Sequence, residues 1–142
     1  MSWMALPLVA LLAGPTPPTK APAVGTVKLA AQKPDREVPS GKARVFFLAE
    51  GKNAFLGKLE LAAGAKVPEH QDATEEYIHV LEGEGVLTMN GVEHQLAPGA
   101  TVFMPAGATV SYQNGPKKMV AIQVFAGPAP AAKYQKWKAV TP

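Results

Sequence analysis

One stretch of the sequence, residues 67–77 (VPEHQDATEEY), concentrates side chains that can bind metal ions or transfer protons. It holds one histidine, one aspartate and three glutamates. His70 and Asp72 are two residues apart, so their side chains share a face if the chain there is extended. Imidazole and carboxylate groups that converge in this way can ligate a divalent metal ion, whereas the same residues on a solvated turn would form an ordinary acidic loop.

Strand parity distinguishes the two adjacent glutamates of this stretch. Glu76 has the same parity as Ile78 and Val80, which are apolar and suit the core-facing side of a strand. Glu75 has the opposite parity, which it shares with Tyr77. We therefore predict that Glu76 points inward and that Glu75 is solvated.

The remaining histidines have more than one interpretation. The parity of His79 predicts a surface or interface position. His94 shares parity with Val92 and Leu96, so it could supply a further imidazole if that face lines an interior, or it could be a hydrogen-bonded strand histidine. Gln123, in the last apolar run, could face either way because parity has no reference there.

Composition and turn signals predict an all-β domain. The chain has 142 residues, of which 47% are hydrophobic and 18% charged, and these values argue against global disorder. Fourteen prolines and thirteen glycines separate short β-prone runs. Asn90-Gly91 between two such runs predicts a hairpin with a type I′ turn. About eight or nine short strands with regular turns indicate a sandwich or a small barrel.

The sequence excludes several function classes. It contains no cysteine, which rules out disulfides, thiolate catalysis and cysteine-ligated zinc. The net charge is +3, and no arginine cluster or aromatic stripe accompanies it. We therefore expect no nucleic-acid partner.

The composition divides the chain into four segments. Proline-rich stretches flank a central region in which the β-prone runs are concentrated. Tyr134 and Trp137, near the C-terminus, are expected to dock on the central body. The segments are a signal peptide or an apolar N-terminal strand at 1–23, a Pro/Ala-rich arm or linker at 24–41, a β-barrel at 42–127 and a C-terminal tail at 128–142.

The first segment leaves the location of the protein open. Residues 5–14 form an apolar run of signal-peptide length that is too short to cross a bilayer comfortably, and no lysine or arginine precedes it. If the run is cleaved, the protein is exported to the periplasm or the extracellular space, with no membrane contact in its mature form. If the run is an ordered strand, a cytoplasmic location is the alternative.

The region from residue 64 to residue 114 resembles the cupin superfamily. The first cupin motif has the form G(X)5HXH(X)3–4E(X)6G, and the second has the form G(X)5PXG(X)2H(X)3N. The resemblance covers the central third of the chain and implies a jelly-roll β-barrel. The matching positions are Gly64, His70, Asp72, Glu76 and Gly83 for the first motif, and Gly99, Pro105, Gly107, Val110 and Asn114 for the second.

The chain departs from the metal-binding pattern of the family at two positions. Cupins usually bind a divalent metal with two histidines and a glutamate of the first motif and a histidine of the second. The resemblance therefore implies His70 and Glu76 as ligands, whereas Asp72 replaces the second histidine and Val110, which cannot ligate, replaces the last one. We predict a site formed by His70, Asp72 and Glu76, with help from His94 or water.

The predicted cofactor is a divalent metal ion, either Mn, Fe, Zn or Ni. Two carboxylates and one imidazole form a hard site, which favours Mn, Fe or Mg and admits Zn. If no metal binds, Asp72 and Glu76 crowd each other, and one of them would have a raised pKa and could act as the catalytic acid or base.

Three functions remain open at this stage. The first is a metal-dependent cupin enzyme such as a dioxygenase, isomerase, epimerase or decarboxylase, because the fold does not choose the reaction. The second is a metal-free module that binds a small ligand such as a sugar or an organic acid. The third is a structural role in which the N-terminal arm exchanges between subunits, and a homodimer is expected in any of these cases.

Overall fold

The computed structural model describes Gly25, Val27 and residues 33–141. The predictions for 1–23, and for residues 24, 26 and 28–32 of the arm at 24–41, therefore lie outside the described residues. Within the described part, the chain forms eleven strands and one 3-10 helix, Ala129–Lys136. The strands are β1 Arg36–Glu37, β2 Ala43–Glu50, β3 Phe55–Leu61, β4 Lys66–His70, β5 Glu76–Glu82, β6 Gly85–Met89, β7 Val92–Leu96, β8 Thr101–Met104, β9 Val110–Asn114, β10 Met119–Phe125 and β11 Lys138–Ala139.

The strands form two antiparallel sheets. The larger sheet has the order β11-β1-β2-β3-β10-β5-β8, and the smaller has the order β4-β9-β6-β7. This layout confirms the predicted all-β jelly roll. No helix within the described ranges is long and apolar enough to span a membrane.

Alternating burial along β5 confirms the predicted strand parity. Glu76, Ile78 and Val80 are buried, whereas Tyr77 and His79 are exposed. A core of aliphatic and aromatic side chains from both sheets fills the space between them. The period of two therefore determines which side chains of β5 face the interior.

The turns of the barrel use the residues that their backbone angles require. Asn90 and Gly91 both have positive φ angles, 49° and 80°, as a type I′ hairpin turn demands. Gly83 has a φ of 83°, and a Cβ atom at this position would lie 2.5 Å from the carbonyl oxygen of Lys118. Glycine at this motif position is therefore needed both for the backbone conformation and for close packing.

The C-terminal segment is packed against the larger sheet. The Tyr134 side chain is buried in a second apolar cluster with Phe55 and Phe125, and Trp137 stacks edge-on against Tyr134. This confirms that Tyr134 and Trp137 dock on the barrel. The larger sheet also extends beyond the predicted barrel, because β1 and β11 pair with each other at its edge.

Asn114, the last residue of the second motif, ties three chain segments together. Its side chain is buried and donates hydrogen bonds to the carbonyl oxygens of Ala62, at 2.8 Å, and of Lys117, at 2.9 Å. Its Oδ1 accepts a hydrogen bond from the Tyr112 hydroxyl at 3.3 Å. The last position of the second motif thus holds a structural amide rather than a ligand.

We predict that Asn114→Leu lowers the free energy of unfolding by about 1–3 kcal/mol, because it removes the hydrogen bonds that the buried amide donates to the carbonyl oxygens of Ala62 and Lys117. Urea unfolding followed by circular dichroism measures this change. The control is Gln95→Leu, which removes an exposed amide and should change stability by no more than about 0.5 kcal/mol. Equal effects of the two substitutions would contradict the structural role of Asn114.

Candidate functional site

The structure brings the three predicted ligands of the first motif together. His70 ends β4, Asp72 lies in the loop that follows, and Glu76 begins β5. One ligand atom from each of these side chains lies within 4.8 Å of the other two. Because β4 and β5 belong to different sheets, the loop between them places the cluster where the chain crosses from one sheet to the other.

A register shift in β4 turns His70 towards the interior. Val67 pairs with Tyr112 and His70 pairs with Val110, so three steps along β4 match two steps along β9. Such a bulge changes which face a side chain occupies. As a result, both Val67 and His70 line the cavity between the sheets, although their sequence parity differs.

One nitrogen of His70 is held by the backbone. Nδ1 lies 2.8 Å from the carbonyl oxygen of Pro68, so it donates this hydrogen bond. Nε2 lies 3.5 Å from Oδ2 of Asp72, and this contact raises the pKa of His70. In the neutral tautomer that the Pro68 contact selects, Nε2 carries the lone pair that can ligate a metal.

Asp72 is held by both its backbone and its side chain. Its carbonyl oxygen accepts a hydrogen bond from the Gly107 amide at 2.8 Å, which joins the two motifs. Its carboxylate accepts hydrogen bonds from Nζ of Lys133 at 2.8 and 3.0 Å. Burial opposes the charged form, but the contacts with His70 and Lys133 outweigh it and lower the pKa of Asp72.

A hydrogen-bonded chain orients Glu76. Glu76 is only 6% exposed, and burial raises its pKa despite the hydrogen bond that Gln123 donates. Nε2 of Gln123 lies 2.5 Å from Oε1 of Glu76, and Oε1 of Gln123 accepts a hydrogen bond from the Tyr134 hydroxyl at 2.6 Å. Burial also raises the pKa of Tyr134, so this hydroxyl stays protonated and donates.

A cavity of about 740 Å³ adjoins the cluster. His70, Asp72 and Glu76 line it together with Lys133 and Tyr134 of the 3-10 helix, and most of the remaining wall is apolar. The apolar lining includes Leu59, Leu61, Ile78, Leu87, Leu96, Val102, Met104, Val110 and Met119.

The structure does not bring His94 to this cluster. Its side chain is exposed on β7, at the edge of the smaller sheet, and it does not line the cavity. His94 pairs with the buried Leu87, so the two side chains lie on the same face of the sheet, as strand parity predicts. Parity does not say how far across the sheet a residue lies from the cluster. His79 is also exposed, with Nδ1 2.8 Å from the Thr101 hydroxyl.

Sequence reasoning did not identify three residues that support the cluster: Gln123 contacts Glu76, Lys133 contacts Asp72, and Tyr134 contacts Gln123. It left the direction of Gln123 open, and it assigned Tyr134 only to docking. It did not single out Lys133, because a lysine in a tail rich in lysine has no local signal. Only the partnership of Tyr134 with a buried strand residue could have been anticipated, since a buried tyrosine hydroxyl needs a polar partner.

The donor set fits a divalent metal ion. One imidazole nitrogen and two carboxylates provide the borderline and hard ligands that Mn, Fe and Zn accept. The carbonyl of Pro68 and the side chain of Gln123 hydrogen-bond to His70 and Glu76, respectively, and hold them in place, as is expected around a metal site.

Comparison with known proteins identifies the family. The family model of the cupin domain matches residues 57–125 of this chain. These residues form a cupin domain. One curated relative is dimethylsulfoniopropionate lyase DddW of Ruegeria pomeroyi, which is 29% identical over 69 residues. The match covers 49% of this chain and 45% of the lyase, so the chain spans less than half the length of that protein.

Solved structures share the cupin fold with this chain. An RmlC-like cupin from Shewanella frigidimarina is 20% identical with a TM-score of 0.65, and the match covers 73% of this chain and 92% of that one. KdgF from Halomonas sp. is 16% identical with the same TM-score, and the match covers 73% and 94%. At these identities the likeness shows the fold alone.

We predict that Glu76→Gln raises the Tm of the metal-free protein by a few degrees at pH 7–8. The pKa of Glu76 is higher in the folded than in the unfolded chain, so the ionised carboxylate costs stability above the folded pKa. That cost disappears as the pH falls through the folded value, and the difference in Tm should shrink accordingly. Thermal unfolding in EDTA at several pH values measures it.

The control for this experiment is Glu69→Gln, which changes an exposed carboxylate outside the cluster. It should shift stability by no more than about 0.5 kcal/mol at each pH. A lower Tm for Glu76→Gln than for the wild type at pH 8 would show that the carboxylate is not destabilised by its burial.

Proposed function

We propose that this protein binds a small molecule in its cupin barrel beside a divalent metal ion, Mn, Fe, Zn or Ni, held by His70, Asp72 and Glu76. The observation that carries the proposal is the convergence of three ligand atoms within 4.8 Å on the wall of the cavity. A metal ion at this place would polarise an oxygen atom of the bound molecule as a Lewis acid.

The side chains of the chain itself supply orientation and proton-transfer groups. Pro68 and Gln123 hold His70 and Glu76 by hydrogen bonds, so little reorganisation is needed when a ligand arrives. Asp72 and Glu76 have pKa values shifted in opposite directions, which is the condition under which two carboxylates take different roles. We propose them as the acid and base if the protein is an enzyme that works without metal.

The reaction class stays open within this proposal. Cupins carry out many reactions, so a dioxygenase, isomerase or decarboxylase reaction is each compatible with the site. The curated relative is a lyase, which makes cleavage of dimethylsulfoniopropionate one reaction to assay. Homodimer formation, and export or a cytoplasmic location, stay predictions from the sequence.

A second candidate is a barrel that binds a small ligand, or serves as a structural unit, without metal and without catalysis. The ammonium group of Lys133 already contacts both carboxylate oxygens of Asp72 and neutralises it. In addition, Val110 is apolar at the position where the family has its last histidine. These two features favour a site that does not depend on metal.

Metal content separates the two candidates. We expect protein purified without added metal, or dialysed against Mn²⁺, to carry close to one divalent ion per chain by elemental analysis. His70→Ala should lower the affinity by more than the roughly 10–100-fold typical of outer-shell substitutions. The matched control is His94→Ala, which removes an exposed imidazole outside the cluster and should retain the metal.

Absence of metal from the wild type, with no uptake on dialysis, would leave only the second candidate. Retention of the metal by His70→Ala would instead place the ion at another site. Both outcomes contradict the proposed ligand set.

We also expect that Val110→His tightens metal binding about 10-fold or more, which corresponds to about 1.4 kcal/mol or more. Val110 lies opposite His70 in the ladder and lines the cavity, so an imidazole there is within reach of the cluster. Val102→His serves as the control, because Val102 lines the cavity but pairs with Ile78. Isothermal titration with Mn²⁺ measures the affinity of both variants. Equal Mn²⁺ affinities of Val110→His and Val102→His would contradict the expected position of the new imidazole.

A further inference from the structure

The 3-10 helix places the ammonium group of Lys133 beside the cluster of His70, Asp72 and Glu76. Lys133 lies in the middle of this helix, beside the buried Tyr134, and its side chain is 34% exposed. Its Nζ lies 4.9 Å from the centre of the Phe125 ring, so the side chain runs over the apolar core towards the cavity. The aromatic contact and the Asp72 carboxylate hold the ammonium group at the cavity wall.

The ammonium group has donor capacity that Asp72 does not use. An ammonium carries three N–H donors, and the two hydrogen bonds described for Nζ both go to Asp72. One donor therefore remains for another acceptor, and the cavity that Lys133 lines is where a ligand would offer one.

The charges of the cluster predict the charge of the ligand. Asp72 and Glu76 carry two negative charges when ionised, and Lys133 carries one positive charge, so the cluster without metal has an excess negative charge. A divalent metal ion reverses this sign and leaves one positive charge in a partly buried place. A monoanionic ligand neutralises that charge, whereas a cationic ligand meets repulsion.

The apolar lining of the cavity predicts that most of the ligand is apolar. Apolar side chains form most of the wall. A sugar would leave several hydroxyl groups against these side chains without hydrogen-bond partners, and each would cost free energy. A hydrocarbon group has no hydrogen bonds to lose there, and its transfer from water into the cavity is favourable.

We propose that the ligand is a small organic acid with an apolar body, and that Lys133 is the residue that selects its carboxylate group. The carboxylate pairs with the ammonium group of Lys133 beside the metal, and the hydrocarbon part occupies the apolar cavity. This inference rests on the proposed function, because the metal ion supplies the charge that lets an anion approach Asp72 and Glu76.

The test uses three pairs of probes: butanoate and butanamide, hexanoate and hexanamide, and benzoate and benzamide. Each pair has nearly the same shape and differs in charge. Isothermal titration with the Mn²⁺-loaded full chain should show that at least one acid binds more tightly than its amide. Lys133→Met should weaken the binding of that acid about 10-fold or more and leave the amide unchanged.

Two variants serve as controls. Lys133→Arg keeps the charge and should bind the acid within a few-fold of the wild type. Lys138→Met removes an exposed lysine of β11 that does not line the cavity, and it should bind as the wild type does. Circular dichroism checks the fold, and Lys133→Gln replaces Lys133→Met if the latter does not fold.

The inference is overturned if no acid binds, if acids and amides bind alike, or if Lys133→Met binds the acid as well as the wild type. Mn²⁺ binding is measured first, without any acid. Failure of the wild type to bind Mn²⁺ contradicts the proposed function. That outcome also removes the positive charge on which the inference rests and so overturns both, whereas Mn²⁺ binding without acid binding that depends on Lys133 overturns the inference alone.

Discussion

The burial of one carboxylate organises this structure. Glu76 lies between two sheets with 6% of its surface exposed, where an ionised group without partners would be very costly. Gln123 satisfies one oxygen, and Tyr134 in turn satisfies Gln123. Because Tyr134 belongs to the C-terminal helix, the position of that helix depends on the same hydrogen-bonded chain that holds the carboxylate.

The cluster around Glu76 combines charges that no single strand could bring together. Asp72 stands between an imidazole and an ammonium group, and both contacts favour its ionised form. A protein that needed only stability would gain little from such a group, since apolar residues often replace buried ion pairs without loss. The arrangement is more readily understood as preparation for a ligand that carries charge.

Much of this could be inferred from local patterns. The alternation along residues 76–80 predicted the inward direction of Glu76, and the structure confirms it. The Asn-Gly pair predicted the hairpin, because few other residues accept positive φ at both turn positions. For Asn114, the motif spacing identified an important position, but only the structure shows that its amide joins three segments of backbone.

Local sequence patterns determined the all-β barrel and the inward direction of Glu76, because strand period and turn chemistry act over a few residues. The cupin resemblance implied His70, Asp72 and Glu76 as ligands, but the bulge in β4 and the crossing between the sheets bring them together. Only the tertiary structure shows whether the other residues lie at the site. His94 lies at a sheet edge away from the cluster, although its parity suited an inward role. Lys133 reaches Asp72 across 61 residues, since the packing of Tyr134 against the larger sheet places the last helix over the site. No hydrophobic periodicity or sequence motif encodes the contact between Lys133 and Asp72, because it depends on how two distant segments pack against the same core.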